Sequence, residues 1–360
     1  MSEELITALP KVALHDHLDG GLRPHTVIDH CREASQELPS CDPRTLRDWF
    51  FDAADSGSLV DYLQTFEYTV AAMQTAGHLR RVAREFVLDH AADGVVYAEA
   101  RWAPEQHTRR DLSMRDAVEA VRDGLHEGMA EAAGAGTPIV VRQILTSMRH
   151  GEPTLDVAQL AVDFRDDTVV GFDIAGAEDG WPSTRFDKVF EFLRRKNMQY
   201  TIHAGEAAGP KSIWEALQLC GARRIGHGVR ICEEIDFDHP DGPRMGRLAH
   251  YLLDAQIPLE ICVTSNVQTG VVGRFEDHPV GVLRELGFNI TINCDNRLMS
   301  GTTMSAEFAR CFDAFGWDVP DMRDITLAAM RAAFCSHEEK VRLIREVIEP
   351  AYARACAARR

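Results

Sequence analysis

Eight short apolar runs, each ended by polar or glycine residues, recur along this chain and restrict its fold more than any other feature. The first four are KVALHDHL from Lys11, VVYAEARW from Val95, PIVVRQIL from Pro138 and TVVGFDIAG from Thr168. The others are MQYTIHAGE from Met198, RRIGHGV from Arg223, IPLEICVTSN from Ile257 and FNITINCDN from Phe288. Runs of this length, rich in Val, Ile and Leu, read as strands. Helix-like segments such as KSIWEALQLC and HPVGVLRELG lie between most of them. Near-continuous apolar strands alternating with helices indicate a parallel sheet. Eight such units fit an α/β fold of the (β/α)8 barrel type. A doubly wound open sheet is the other arrangement of this alternation, but no G-x-G-x-x-G follows any of the runs.

The connection after the first strand is unusually long, covering residues 19–94. Leu59, Leu63, Phe66, Val70 and Met73 recur within it at helical spacing, so this insertion is expected to be helical. A segment leaving the C-terminal end of a barrel strand lies on the catalytic face. It is there either as a lid or as extra packing. The stretch from Thr326 to Arg360 also reads as helical. Without repeats, low-complexity tracts or a linker, residues 1–360 are expected to form a single domain.

Composition excludes several functions. A net charge of −17 argues against binding nucleic acid, which needs clustered Lys and Arg to neutralise phosphates. It argues equally against anionic membrane surfaces. No stretch approaches a transmembrane length. The acidic start MSEELITALPK has no apolar signal core, which predicts a cytoplasmic protein. The nine cysteines are scattered without a CxxC, and read as reduced thiols rather than a disulfide frame.

Polar residues capable of chemistry collect at one end of the strands. His15 and His17 end the first, His203 and Glu206 the fifth, His227 the sixth, Ser265 and Asn266 the seventh, and Asp295 and Asn296 the eighth. In a barrel these ends converge on one mouth. Residues i and i+2 of a strand share a face, so His15 and His17 are able to present both rings to one point. Paired imidazoles suit a borderline cation such as Zn²⁺. His203 adds a third nitrogen and Asp295 a carboxylate, which leaves a position for water in a mononuclear site. His227 is a candidate base or electrostatic partner for that water. Glu206, held protonated by burial, is a candidate proton donor. Asp19 stands near enough to contact a substrate.

Together the stretches HDHLDG, DIAGAE, HAGE, RIGHG, TSNVQTG and CDN resemble, in order and approximate spacing, the adenosine deaminases of the metal-dependent amidohydrolase superfamily. The resemblance runs from Leu14 to about Ser300. It implies a (β/α)8 barrel, one Zn²⁺ per chain, and hydrolysis of adenosine and 2′-deoxyadenosine to the inosine forms and ammonia. It further implies that His15, His17, His203 and Asp295 bind the metal, that Glu206 protonates purine N1, and that His227 orients and deprotonates the water. His17, Asp19, Gly176 and Asn296 would contact the substrate: Asp19 at the ribose 5′-hydroxyl, the Gly176 backbone at purine N3, and Asn296 at N7. The family pattern has a second aspartate where this chain has Asn296, which leaves the ligand Asp295 intact but alters the N7 contact. The expected partner is thus a small purine nucleoside.

Three rival readings remain at this level. One is deamination of adenine or another 6-aminopurine. Another is phosphoester or amide hydrolysis on the same scaffold, but relatives of that kind often hold two metals bridged by a carboxylated lysine, and no lysine ends the fourth or fifth strand. The third is a purine-binding relative that has lost catalysis.

Overall fold

A computed structural model describes residues 2–165 and 167–357. Eight parallel strands form one sheet in chain order: β1 Lys11–His17, β2 Val95–Trp102, β3 Val140–Met148, β4 Val169–Ala175, β5 Gln199–Ala204, β6 Arg224–His227, β7 Leu259–Ile261 and β8 Ile290–Ile292. The seam between β8 and β1 is closed just past β8. There the Asp295 N–H donates to the His15 carbonyl at 2.9 Å, and the His17 N–H donates to the Asp295 carbonyl at 2.7 Å. Asn293 Oδ1 adds to the closure by accepting the Leu14 and His15 N–H groups at 2.8 and 3.1 Å. The expected barrel is therefore present, with each strand inside its apolar run except β3, which continues three residues past Leu145 to Met148.

Strand seven is shorter than its run. IPLEICVTSN pairs only over Leu259–Ile261, and Val263–Gln268 turns into a helix. Ser265 and Asn266 thus stand on a helix beyond the strand. The buried Glu307 carboxylate accepts the Thr264 N–H at 3.1 Å, which satisfies a backbone donor that the helix start leaves open. This tertiary contact overrides the β preference of the run.

The insertion after β1 is helical, as its spacing indicated. It contains Pro24–Ala34, Pro43–Ala54, Leu59–Gln64, Phe66–Ala71 and Ala76–Ala92. Asp42, Ser58 and Thr75 cap three of these starts through their side chains, each contact worth about 1 kcal/mol. The periodic stretch from Leu59 is broken at Thr65, whose hydroxyl donates to the Tyr62 carbonyl at 2.7 Å. Outside the barrel, the helices Ala76–Ala92 and Met114–Gly134 pack closely because the second carries glycines. A Cβ at Gly124 would lie 2.2 Å from the Arg80 carbonyl oxygen. The C-terminal stretch expected to be helical from Thr326 begins inside the helix Val319–Ala332 and contains His337–Leu343 and Glu349–Ala357, and residues 358–360 lie outside the described residues. Among the described residues no helix is long and apolar enough to cross a membrane.

The barrel interior is ionic as well as apolar. Arg101 donates to Asp173 at 3.0 Å and to Glu260 at 2.7 Å, and Arg224 donates to Glu260 at 2.6 Å and to Glu99 at 2.5 Å. All five side chains are buried. Removing one partner from such a network strands a charge, at a cost of about 3–5 kcal/mol.

Candidate active site

The C-terminal strand ends open into a cavity of about 310 Å³. Its floor comes from the barrel: His17, His203, His227, Asp295 and Asn296, with Glu206 and Asp19 beside them. Gly176 and Met148 line another side, and Leu59, Tyr62, Leu63 and Phe66 of the insertion form a wall. His15 lies fully buried just below. The structure thus brings together the nine residues given metal, catalytic or substrate roles from the sequence.

The imidazoles crowd around one point. Ligand-capable atoms of His15, His203, His227 and Asp295 all lie within 4.8 Å of one another. His17 joins them, with Nε2 3.3 Å from His203 Nε2 and 3.4 Å from Asp295 Oδ1. His15 Nε2 is buried without a hydrogen-bond partner, 3.3 Å from Asp295 Oδ1. An orphaned buried acceptor facing a carboxylate and further imidazoles is the donor set that a divalent cation satisfies.

Two carboxylates, unread in the sequence, stand behind this cluster. Glu260 Oε2 is 3.0 Å from His15 Nδ1, and Asp173 Oδ2 is 2.9 Å from His203 Nδ1. A carboxylate at Nδ1 holds the proton there, leaving Nε2 bare and aimed inward, the usual support of a metal-binding histidine. Arg101 bridges both carboxylates. Burial would raise the Glu260 carboxyl, but Arg101, Arg224 and His15 hold it well below the ordinary range. His227 is backed differently: its Nδ1 meets the amide of Asn266 at 3.1 Å.

The charge states follow from burial and neighbours. Burial above all, with His203 and His15 nearby, holds His17 well below its ordinary value despite Asp295. Burial likewise lowers His203 and, more strongly, His227, keeping both rings neutral. Against burial, His15 and the other imidazoles keep Asp295 well below the usual carboxylate range. Glu206 goes the other way: burial, then Asp295 and Glu178, push it well above 4.5. Burial also raises Asp19, to about 7.

Backbone strain aims two of these side chains. His227 and Asp295 both have φ of +61°, a left-handed conformation rarely held by residues other than glycine. Asp295 is fixed there by its hydrogen bonds across the seam. Asn296 packs against Gly20, where a Cβ would fall 1.9 Å from its Oδ1.

Glu178, the last residue of DIAGAE, also escaped the sequence reading. Its carboxylate accepts four consecutive backbone N–H groups: Gly205 at 2.6 Å, Glu206 at 3.0 Å, Ala207 at 2.7 Å and Ala208 at 2.9 Å. It thereby shapes the turn that carries Glu206. Arg149 Nη2 fastens the start of the same segment by donating to the His203 carbonyl at 2.7 Å.

Known proteins match both the sequence and the fold of this chain. Residues 10–350 match the family model described as Adenosine deaminase. The chain is 51% identical over 353 residues to Adenosine deaminase 1 of Streptomyces coelicolor, covering 98% of this chain and 89% of that protein. It is 52% identical over 350 residues to Adenosine deaminase of Mycobacteroides abscessus, covering 97% and 96%. Among solved structures, arabidopsis ADAL complexed with IMP superposes with a TM-score of 0.82 at 25% identity, covering 98% of this chain and 99% of that one. With the motifs, the barrel and the buried cluster all in agreement over nearly its whole length, this chain belongs to the adenosine deaminase family.

Proposed function

We propose that this protein hydrolyses adenosine and 2′-deoxyadenosine to inosine and 2′-deoxyinosine, releasing ammonia, with one Zn²⁺ per chain held by His15, His17, His203 and Asp295. The observation that carries the reading is the orphaned His15 Nε2, buried among further imidazoles and the Asp295 carboxylate, with the Glu206 carboxyl, pushed up by burial, beside them. Zinc bound there would supply a Lewis acid that makes water nucleophilic near neutral pH.

The chain's own residues carry the remaining steps. His227 faces the cluster without a carboxylate behind it and holds the hydrolytic water against purine C6. Glu206 stays protonated in the buried pocket and gives its proton to N1, so the ring accepts the electron pair as water adds. The amino nitrogen takes one proton of the added water and leaves C6 as ammonia, while the other water proton returns to the Glu206 carboxylate and C6 is left as the carbonyl. The Gly176 backbone faces N3, Asn296 faces N7, and Asp19 meets the ribose 5′-hydroxyl. The insertion of residues 19–94 belongs to the same domain and closes over the nucleoside through Leu59, Tyr62, Leu63 and Phe66.

The cavity wall favours a nucleoside over a nucleotide. Among the described residues lining it there is no Lys or Arg, and an acidic side chain stands at Asp19. A 5′-phosphate there would be buried without a counter-charge, a costly arrangement. Adenine alone would leave Asp19 without a ribose partner.

Ammonia release should be measured with adenosine, 2′-deoxyadenosine, adenine and AMP. The two nucleosides should be the good substrates, with kcat/KM at least about 100-fold above AMP, the order expected when about 3 kcal/mol of unpaired charge is at stake. Faster turnover of adenine or AMP would overturn the assignment.

A further inference from the structure

One buried chain of hydrogen bonds reaches His227 from outside the pocket, and its directions are fixed from one end. The Val280 backbone N–H, which is only a donor, points at His278 Nδ1 at 3.0 Å. His278 Nδ1 is therefore the bare nitrogen, and the ring proton sits on Nε2. That Nε2 lies 3.3 Å from Asn266 Oδ1, which accepts from it. The Asn266 amide is thus oriented with its oxygen toward His278 and its nitrogen toward His227. Asn266 Nδ2 donates to His227 Nδ1 at 3.1 Å. His227 Nδ1 is then an acceptor, so the proton of this neutral ring is on Nε2. Burial keeps the His278 ring neutral as well, pushed down to about 3.

We infer that His278 and Asn266 are positioning residues that set the tautomer of His227, placing its proton on Nε2 toward the reacting centre. The inference rests on the proposed role of His227 in holding the water and narrows it: with Nε2 protonated the ring orients the water as a donor, and the deprotonation expected of His227 from the family resemblance is not its part. His15 and His203 have carboxylates at Nδ1, which keep Nε2 bare for a cation. His227 has an amide N–H there, which keeps Nε2 protonated. The same ring in the same cluster is thereby withheld from the metal and made a hydrogen-bond donor toward water oxygen and toward Glu206 Oε2, 3.6 Å away. The donor comes from the helix Val263–Gln268, which explains why the chain leaves β7 early: Asn266 reaches His227 from a helix, not from a strand end.

Nitrogen-15 imidazole spectra of the zinc-loaded protein test this directly, since protonated and bare ring nitrogens have well separated shifts. The chain has 15 histidines, and the His227 signals are assigned by their disappearance in His227→Gln. In the wild type, His227 should show a bare Nδ1 and a protonated Nε2. A protonated Nδ1 would overturn the proposal without any variant. Asn266→Asp replaces the donor with an acceptor of the same shape, so His227 Nδ1 should gain a proton. kcat should fall roughly 100-fold while KM and zinc content stay near wild type, the loss expected for one misplaced acid–base group. His278→Gln still has a donor for Asn266 Oδ1 and should keep the wild-type tautomer, whereas His278→Leu should give a mixture of tautomers. An unchanged His227 spectrum in both Asn266→Asp and His278→Leu refutes the relay. If Asn266→Asp does not fold, the wild-type spectrum and the His278 pair still decide. The spectra need no substrate, so failure of the relay is distinct from failure of the adenosine assay.

Discussion

Replacing Glu178 with glutamine isolates the anchoring of the turn that carries Glu206. The change keeps the shape of the side chain and removes one acceptor and the charge. In the native protein Oε2 accepts the N–H groups of Glu206, Ala207 and Ala208, and Oε1 accepts that of Gly205. A glutamine does best by turning its oxygen to the site of three donors. Its NH₂ then faces the Gly205 N–H, a buried donor left unpaired at about 1–3 kcal/mol. The other three bonds change from charged to neutral acceptors and lose about 1 kcal/mol each. The local sum, about 4–6 kcal/mol, exceeds what a turn can absorb unchanged, so the segment should shift to hydrate Gly205. Glu206 would move with it, and a displacement near 1 Å from a reactive geometry costs about 100-fold in rate. The Glu178 charge that helps hold Glu206 protonated is lost in the same step. The assay is steady-state deamination of adenosine, with metal content and urea unfolding as controls. Glu178→Gln should bind one metal per chain, unfold at lower urea and lose kcat by about 100-fold. A variant within about threefold of wild-type kcat would show that four backbone hydrogen bonds to one carboxylate do not position Glu206, and the reasoning would fail.

Glu206→Gln should keep metal and KM but lose kcat by about 100- to 10,000-fold, and retention of most turnover would remove its role as proton donor. 7-Deazaadenosine, which replaces N7 by C–H, should leave the Asn296 amide donor unpaired and be poorer than adenosine by about 5- to 150-fold, corresponding to about 1–3 kcal/mol. Asn296→Ala should shrink that gap, and equal discrimination by both proteins would show that Asn296 does not read N7. Elemental analysis should find one zinc per chain, and chelation should abolish activity and lower the melting temperature as the folded state loses its ligand. Full activity after complete removal of metal would contradict the assignment. Burial pushes His107 down to about 4 and His278 to about 3, whereas both take up a proton near 6.5 when unfolded. Between those values the unfolded chain binds more protons, so stability should fall as pH falls from about 6.5 to 4, by about 1.4 kcal/mol per pH unit for each group. His107→Gln should reduce that slope by one proton in urea titrations, and an unchanged slope would refute the assignment.

What could be read from the sequence follows from what each signal encodes. A strand buried on both faces must be apolar along its length, so β1 and β2 begin at the Lys11 and Val95 of their runs. Strand seven misled because Val263 and Thr264 continue an apolar, β-branched stretch, while Glu307, 43 residues later, turns the backbone into a helix. The ligand candidates were legible because histidine is rare at so many strand ends at once. Asp173 and Glu260 were not, although charges inside apolar runs were a usable signal: a buried carboxylate needs a partner, and His203 and His15 are those partners. Glu178 has no side-chain signature to find, since its four partners are backbone N–H groups that any residue carries. The left-handed backbones of His227 and Asp295 are likewise invisible in residue type, because only contacts made in the folded barrel compensate their strain.

The seam explains why the site and the fold depend on each other. β8 ends at Ile292, and the closure to β1 is made by Asn293 and Asp295. Asp295 inserts its peptide between those of His15 and His17, accepting from one and donating to the other. Its left-handed φ turns the carboxylate inward to within 3.3 and 3.4 Å of the two imidazoles. The anionic member of the cluster is thus placed by barrel closure rather than by a side-chain contact that could slip on its own. Without a cation, the buried Asp295 carboxylate faces His17, His203 and His227, which burial keeps neutral, and His15 Nε2 has no partner. A cation drawing His15, His17 and Asp295 together would pull on both sides of the same seam. Its binding energy would then add directly to the last closure of the barrel, at the point where the strand ladder itself is thinnest.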